Sequence, residues 1–166
     1  MGYVEELRSI VGHRPLILVG SVVIVQDKEN RILLQQRKHP YGIWGIPGGL
    51  MELGESAEDT ARRELMEETG ISVGDLQLIG VFSGPQNFIK APNGDEFFAV
   101  TIAYCTKDFS GEPAVRDAES LNFRFFHVHE LPEIVHSHRH HRPISKKKQL
   151  EDRLPAAGVI AIRWCL

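Results

Sequence analysis

Residues 47–71 read Pro-Gly-Gly-Leu-Met-Glu-Leu-Gly-Glu-Ser-Ala-Glu-Asp-Thr-Ala-Arg-Arg-Glu-Leu-Met-Glu-Glu-Thr-Gly-Ile. Pro47-Gly48-Gly49 allows a tight turn and a close backbone approach to a ligand. Ser56 is a favourable N-cap, and Asp59 three residues on completes a weaker capping box. Gly70 is placed to end the helix in the left-handed conformation. The pattern therefore predicts a helix over 56–68, with Ala57, Ala61 and Leu65 as its buried stripe. Glu64, Glu67 and Glu68 then fall within an arc of about 100° and project into one region. Like charges so placed repel, and a hard divalent cation such as Mg²⁺ or Mn²⁺ is the natural counter-charge for carboxylate oxygens. Taken alone, the three carboxylates also suit a solvated acidic face with Arg62 and Arg63 beside it.

Outward from this stretch, residues 3–11 have helical spacing and Gly12 as a C-cap. Residues 17–25 and 32–36 are rich in Val, Ile and Leu, and the polar run 26–30 between them predicts a hairpin. Two prolines and four glycines make 39–49 a loop. Strands are expected at 76–83, 96–105 and 123–128, with a turn at 91–95 and a helix or turn beginning at 130. Strands and helices mix without regular alternation, which predicts an α+β layout.

The chain has 166 residues, 42% hydrophobic and 25% charged, so it is long enough to bury a core without disulfides or a structural metal. Its formal net charge of −3 gives no basic field for nucleic acid, which makes nucleic acid an unlikely partner. Cys105 and Cys165 make a poor pair, in keeping with a reducing cytoplasm. No apolar run approaches the roughly 20 residues that span a bilayer, and the N-terminus lacks a signal-peptide core. Together these predict a cytoplasmic protein. Residues 136–148, His-Ser-His-Arg-His-His-Arg-Pro-Ile-Ser-Lys-Lys-Lys, could bind metal or phosphate. Coil histidines have no preset geometry, so a solvated tail is the plainer expectation. We expect one domain over 1–143, with an N-terminal helix, and a disordered or non-native tail over 144–166.

The full pattern decides how the acidic helix is read. It resembles the Nudix box, G-x5-E-x7-R-E-U-x-E-E-x-G-U with U apolar. All nine defined positions are met: Gly49, Glu55, Arg63, Glu64, Leu65, Glu67, Glu68, Gly70 and Ile71. A chance match is on the order of one in 10⁹ per starting position at ordinary residue frequencies. Arg37, Trp44 and Pro47-Gly48-Gly49 also resemble the family's approach to the box, and the resemblance spans roughly residues 17 to 135. It implies an α/β/α sandwich around a mixed sheet. It also implies metal-dependent hydrolysis of a nucleoside diphosphate linked to another moiety. By position, Glu64, Glu67 and Glu68 would hold Mg²⁺ or Mn²⁺, with the Gly48 carbonyl joining them. Arg63 and Glu55 would brace the loop and orient Glu64. Arg37 would meet substrate.

The family often adds an acidic residue from a later loop as ligand or base. Glu119 fits best and Asp117 is the fallback, with solvated loop acids as the alternative. Pro85 lies 14 residues after Ile71, about one short of the spacing of a proline in ADP-ribose-cleaving members; a turn proline after a strand is the plainer expectation. Phe82, Phe88, Phe97 and Phe98 are either base-stacking or core. An ADP-ribose or nucleotide-sugar pyrophosphatase is the leading expectation, with a nucleoside triphosphate pyrophosphohydrolase as runner-up. A non-catalytic ligand sensor of the same fold and an RNA-decapping enzyme are weaker alternatives. The partner is a nucleotide derivative, and a homodimer is open.

Overall fold

The computed structural model describes residues 2–132. The order of elements is α1 (Tyr3–Val11), β1 (Leu16–Val25), β2 (Ile32–Arg37), β3 (Trp44–Gly45), β4 (Gly48–Leu50), α2 (Ala57–Thr69), β5 (Ser72–Val73), β6 (Gln77–Phe82), β7 (Phe88–Lys90), β8 (Glu96–Thr106), β9 (Phe109–Ser110) and β10 (Ser120–Phe126). Single 3₁₀ turns occupy Pro85–Asn87 and Val128–Glu130. The architecture is α+β, built on a mixed sheet.

β1 is the spine. It runs parallel to β8 over its whole length, from Leu16 opposite Phe97 to Val25 opposite Thr106. On its other edge Gly20, Ser21 and Val22 pair antiparallel with Leu50, Gly49 and Gly48 of β4. β6 and β7 join β8 antiparallel and complete the five strands. The second half of β1, from Ser21 to Val25, is largely covered on both faces, as expected for a central strand with a parallel partner, while Ile17 in its first half is 73% exposed. Val23 and Val25 face α2 and pack with Ala61, Leu65, Leu33, Ile71, Tyr104 and Phe123. Ile24 faces the opposite way, into a second cluster with Ile32, Leu34, Ile46 and Ala103.

The expected hairpin between the first two strands does not form. β2 belongs to a separate three-stranded sheet, between β10 and β3. Only one bridge, Gln26 to Ile32, links it to the end of β1. The reason is that β1 has no free edge to offer. β8 takes one side, while β4 and then the Pro47 carbonyl, which accepts from the Val23 N–H at 3.1 Å, take the other.

The segment expected as a plain loop, 39–49, contains β3 and the start of β4. The helices and the remaining long strands lie within a few residues of expectation, although β10 begins at Ser120 rather than 123. α1 is tied to the sheet at one point by Arg8, whose guanidinium donates to the carbonyls of Gly12, Arg14 and Glu96. The reading of 144–166 as a tail, and that of the basic His-rich run 136–148, lie outside the described residues.

Candidate active site

α2 starts as the sequence requires. Ser56 Oγ accepts from the Asp59 N–H at 3.1 Å, and Asp59 Oδ2 accepts from the Ser56 N–H at 3.2 Å. It stops at Gly70, with φ 78° and ψ 7°, where a side chain would be strained and would meet the Arg116 guanidinium. With both ends fixed, Ala61 and Leu65 point into the core, and Glu64 and Glu68 are carried toward β4 and β2.

Arg63 is the organiser of the loop. Its Nε donates to Glu55 Oε1 at 2.5 Å, and its Nη2 donates to Glu55 Oε2 and the Leu50 carbonyl, each at 3.0 Å. Its Nη1 donates to Glu64 Oε1 at 2.8 Å and Glu67 Oε2 at 3.2 Å. The guanidinium beside Glu55 holds that carboxyl down at about 2. Its own pKa is raised in turn, chiefly by Glu55. Glu55 also accepts from the Glu52 N–H and Thr60 Oγ1, so the turn before the helix is closed on this one carboxylate.

Glu64 lies against β4. A Cβ on Gly49 would run into its carboxylate, so glycine there is what lets the helix side chain reach the strand. Burial raises the Glu64 pKa although Arg63 opposes it. Glu68 reaches furthest in. Its Oε2 accepts from the Gly48 N–H at 3.0 Å and its Oε1 from Gln35 Nε2 at 2.8 Å. Burial pushes its carboxyl up to about 7, against those two hydrogen bonds and the nearby charge of Arg37; Glu64 adds a smaller push upward. Glu67 stands apart, with 59% of its side chain exposed against 18% for Glu64. Among the described residues no three His, Cys, Asp or Glu side chains already close around one point. The three helix carboxylates are thus neighbours with different surroundings, rather than the single cluster that helical geometry alone suggests.

Gln35 and Ser120 are absent from the residues singled out in the sequence. Gln35 Nε2 also donates to Ser120 Oγ at 2.8 Å, and Ser120 Oγ donates to Asp117 Oδ2 at 2.9 Å. Asp117 further accepts from the N–H groups of Glu119 and Ser120, at 2.8 and 2.6 Å. Asp117 is therefore occupied in fixing its own turn. Glu119 has an exposed side chain, and its carbonyl accepts from the Lys38 N–H at 2.7 Å, which sets it beside the end of β2. Gln35 shares a strand face with Leu33 and Arg37, between the core and the end of β2.

Arg37 ends β2 with its guanidinium over Gly45. Pro85 opens the turn after β6 and is exposed. The strand registers put Phe82, Thr101, Gly20 and Leu50 in one row, so that turn is level with the start of the 50–55 loop. A cavity of about 260 Å³ lies elsewhere, between α1, the first half of β1 and residues 51–55. It is bounded by Tyr3, whose N–H donates to Glu52 Oε2 at 2.8 Å, and does not reach Glu64 or Glu68.

Fold and site define a class: an α+β protein in which a capped acidic helix sets two half-buried carboxylates against a glycine strand. A family model described as NUDIX domain matches residues 17–147. An ADP-ribose pyrophosphatase of Methanocaldococcus jannaschii is 32% identical over 126 residues, 75% of this chain and 69% of that protein. An oxidized purine nucleoside triphosphate hydrolase of Danio rerio is 31% identical over 69% of each chain. The crystal structure of a MutT NUDIX hydrolase from Burkholderia pseudomallei superposes with a TM-score of 0.62 at 32% identity, covering 74% of this chain and 92% of that one. Curated relatives named NAD-capped RNA hydrolases are longer, and the chain spans under half of their length. The chain belongs to the Nudix family and is a pyrophosphohydrolase of that family.

Nudix enzymes are generally dependent on a divalent metal. The residues here fit such an ion. Glu64 and Glu68 are half-buried oxygen donors, and Arg63 is hydrogen-bonded to Glu64 but not to Glu68. A hard cation is the charge such a donor set lacks. No helix among the described residues is long and apolar enough to cross a membrane.

Proposed function

We propose that the protein hydrolyses the pyrophosphate of a nucleoside diphosphate linked to a second group, of the ADP-ribose or nucleotide-sugar type, using Mg²⁺ or Mn²⁺. The observation that carries the reading is a complete box whose helix sets two half-buried carboxylates against one glycine strand, Glu64 over Gly49 and Glu68 on the Gly48 N–H. The archaeal relative, named an ADP-ribose pyrophosphatase, supports the substrate class.

Glu64, Glu67 and Glu68, with the Gly48 carbonyl, would hold the cation. When bound, such a cation neutralises phosphate charge and makes its bound water acidic enough to act as a nucleophile at neutral pH. The chain's own residues do the rest. Arg63 and Glu55 keep the loop closed and fix Glu64. Arg37 offers a cation to a phosphate oxygen from the far side of Glu68. Glu119, exposed in the turn before β10, would accept the proton of the attacking water or add a carboxylate to the cation. Pro85 shapes the turn that would border the second moiety. We assign these roles within one domain over 1–143, in the cytoplasm where nucleotide substrates reside.

A second reading is hydrolysis of a nucleoside triphosphate, favoured by the relative from Danio rerio. A panel of ADP-ribose, nucleotide sugars, deoxynucleoside triphosphates and their oxidised forms, with Mg²⁺ or Mn²⁺, separates the two. AMP plus ribose 5-phosphate from ADP-ribose is the expected product pair. Nucleoside monophosphate plus inorganic pyrophosphate as the dominant products moves the assignment to the second reading. Absence of turnover on every compound overturns both.

A further inference from the structure

The hydrogen bonds around Glu68 continue past the cleft into the protein. Gln35 Nε2 sits 2.8 Å from both Glu68 Oε1 and Ser120 Oγ, and Ser120 Oγ is 2.9 Å from Asp117 Oδ2. Gln35 is 2% exposed and Ser120 1%. The chain therefore runs Gly48–Glu68–Gln35–Ser120–Asp117 and crosses four separate segments: β4, α2, β2 and the turn into β10. Burial of an amide and a hydroxyl stabilises a fold only when each finds a partner. Here each donor finds an acceptor, and the end of the chain is an exposed-side turn closed by Asp117.

The strand parity explains why glutamine stands there. Leu33, Gln35 and Arg37 alternate onto the α2 side of β2. Leu33 packs in the core with Leu65, so the next inward position lies one helical turn further along α2, against Glu68. An apolar residue there would leave Glu68 Oε1 without its donor. A glutamine supplies two N–H groups and no charge, so it can hold a carboxylate and a hydroxyl at once.

We propose that Gln35, itself fixed by Ser120 and Asp117, is a positioning residue that holds Glu68 in the orientation needed to bind the divalent cation. Each Glu68 oxygen accepts one hydrogen bond within the protein, and each keeps a lone pair for the ion. The inference rests on the proposed role of Glu68 as a ligand, and it adds a dependence on the turn before β10. That turn also carries Glu119, so one hydrogen-bonded chain ties the helix ligand to the loop proposed to supply the base.

The test uses the full chain and reads Mn²⁺ binding directly, by the loss of the free-ion EPR signal, beside steady-state hydrolysis. Partners of this kind are worth about 10–100-fold in metal affinity or activity. Gln35→Met keeps the length and removes both donors. It should weaken Mn²⁺ binding by about tenfold or more and lower kcat with KM little changed. Ser120→Ala should do the same more mildly. The double variant should be no worse than Gln35→Met alone, because the two act in series. The melting temperature in chelator identifies the variants that are folded. If Gln35→Met does not fold, Ser120→Ala carries the test. Wild-type Mn²⁺ affinity in whichever folded variant is tested overturns the inference, as does full additivity of the pair. Glu68→Gln separates this from the parent reading. Unchanged Mn²⁺ binding by Glu68→Gln sinks the ligand role itself, whereas its loss, alongside wild-type binding by Gln35→Met, sinks only the positioning role.

Discussion

Glu68 is the residue at which core and cleft meet: one turn of α2 before it, Leu65 is fully buried, while Glu68 itself faces Gly48 and Gln35. Holding an ionised carboxylate there without a cation is costly, so Glu68→Gln should lower turnover by orders of magnitude while the chelator-treated protein stays folded. An ion that binds only the folded state stabilises it by about 2.7 kcal/mol at a hundredfold excess over Kd. Millimolar Mn²⁺ should therefore raise the melting temperature of the wild type and not of Glu68→Gln; equal shifts in both would remove Glu68 from the ligand set. Glu55 makes a different prediction. Hydrogen bonds from Arg63 hold its carboxyl at about 2, below the ordinary value of 4.5. The unfolded chain takes up this proton more readily than the folded one. The stability it contributes is thus complete above about pH 4.5 and drains away as pH falls toward 2. The difference in melting temperature between wild type and Glu55→Gln should shrink across that window. Two parallel curves from pH 6 down to 3 would show that the Arg63 pairing contributes nothing to acid stability.

α2 was the most legible element, because its ends carry their own instructions. Ser56, Asp59 and Gly70 each take the cap geometry that their chemistry favours. Ser56→Ala should cost about 1 kcal/mol. Gly70→Ala should cost more than that, since alanine at positive φ is strained and its methyl would displace the Arg116 guanidinium. Urea midpoints measure both, with the m-value unchanged. If the order is reversed, the left-handed cap is not what ends the helix. The short strands were illegible for the opposite reason. β3 and β4 are two and three residues long and glycine-rich, and only their pairing with β2 and β1 makes them strands. The hairpin expected at 17–36 failed likewise. A polar turn between two apolar runs reports that the chain reverses, but says nothing about whether the first run has an edge left to pair with. Gln35 and Ser120 escaped notice because a single glutamine or serine in a strand carries no pattern; only the register that brings β10 against β2 makes them partners.

At the scale of the whole molecule, the sequence changes character near its end: residues 136–148 are dense in His, Arg and Lys, and 150–166 have weak periodicity. On that composition a chain ending after Ser145 is expected to keep its melting temperature and its turnover. A loss of either would assign the basic C-terminal stretch to the core or to contacts with a second copy. The arrangement of β1 and β8 has a kinetic meaning as well. Leu16 pairs with Phe97 and Val25 with Thr106, so ten ladder positions all join residues 81 apart in the chain. Little in the local sequence rewards that closure before it happens, and the glycine strand that meets Glu64 and Glu68 borders β1 on its other side. The helix can form early from its own caps, yet its carboxylates have nothing to face until the distant strand has docked. Folding should be limited by this long-range step. Substitutions at Val23 or Ala103 should then slow refolding, and Ser56→Ala should slow it too because its cap is formed before that step, with little change in the unfolding rate, which stopped-flow chevrons read directly.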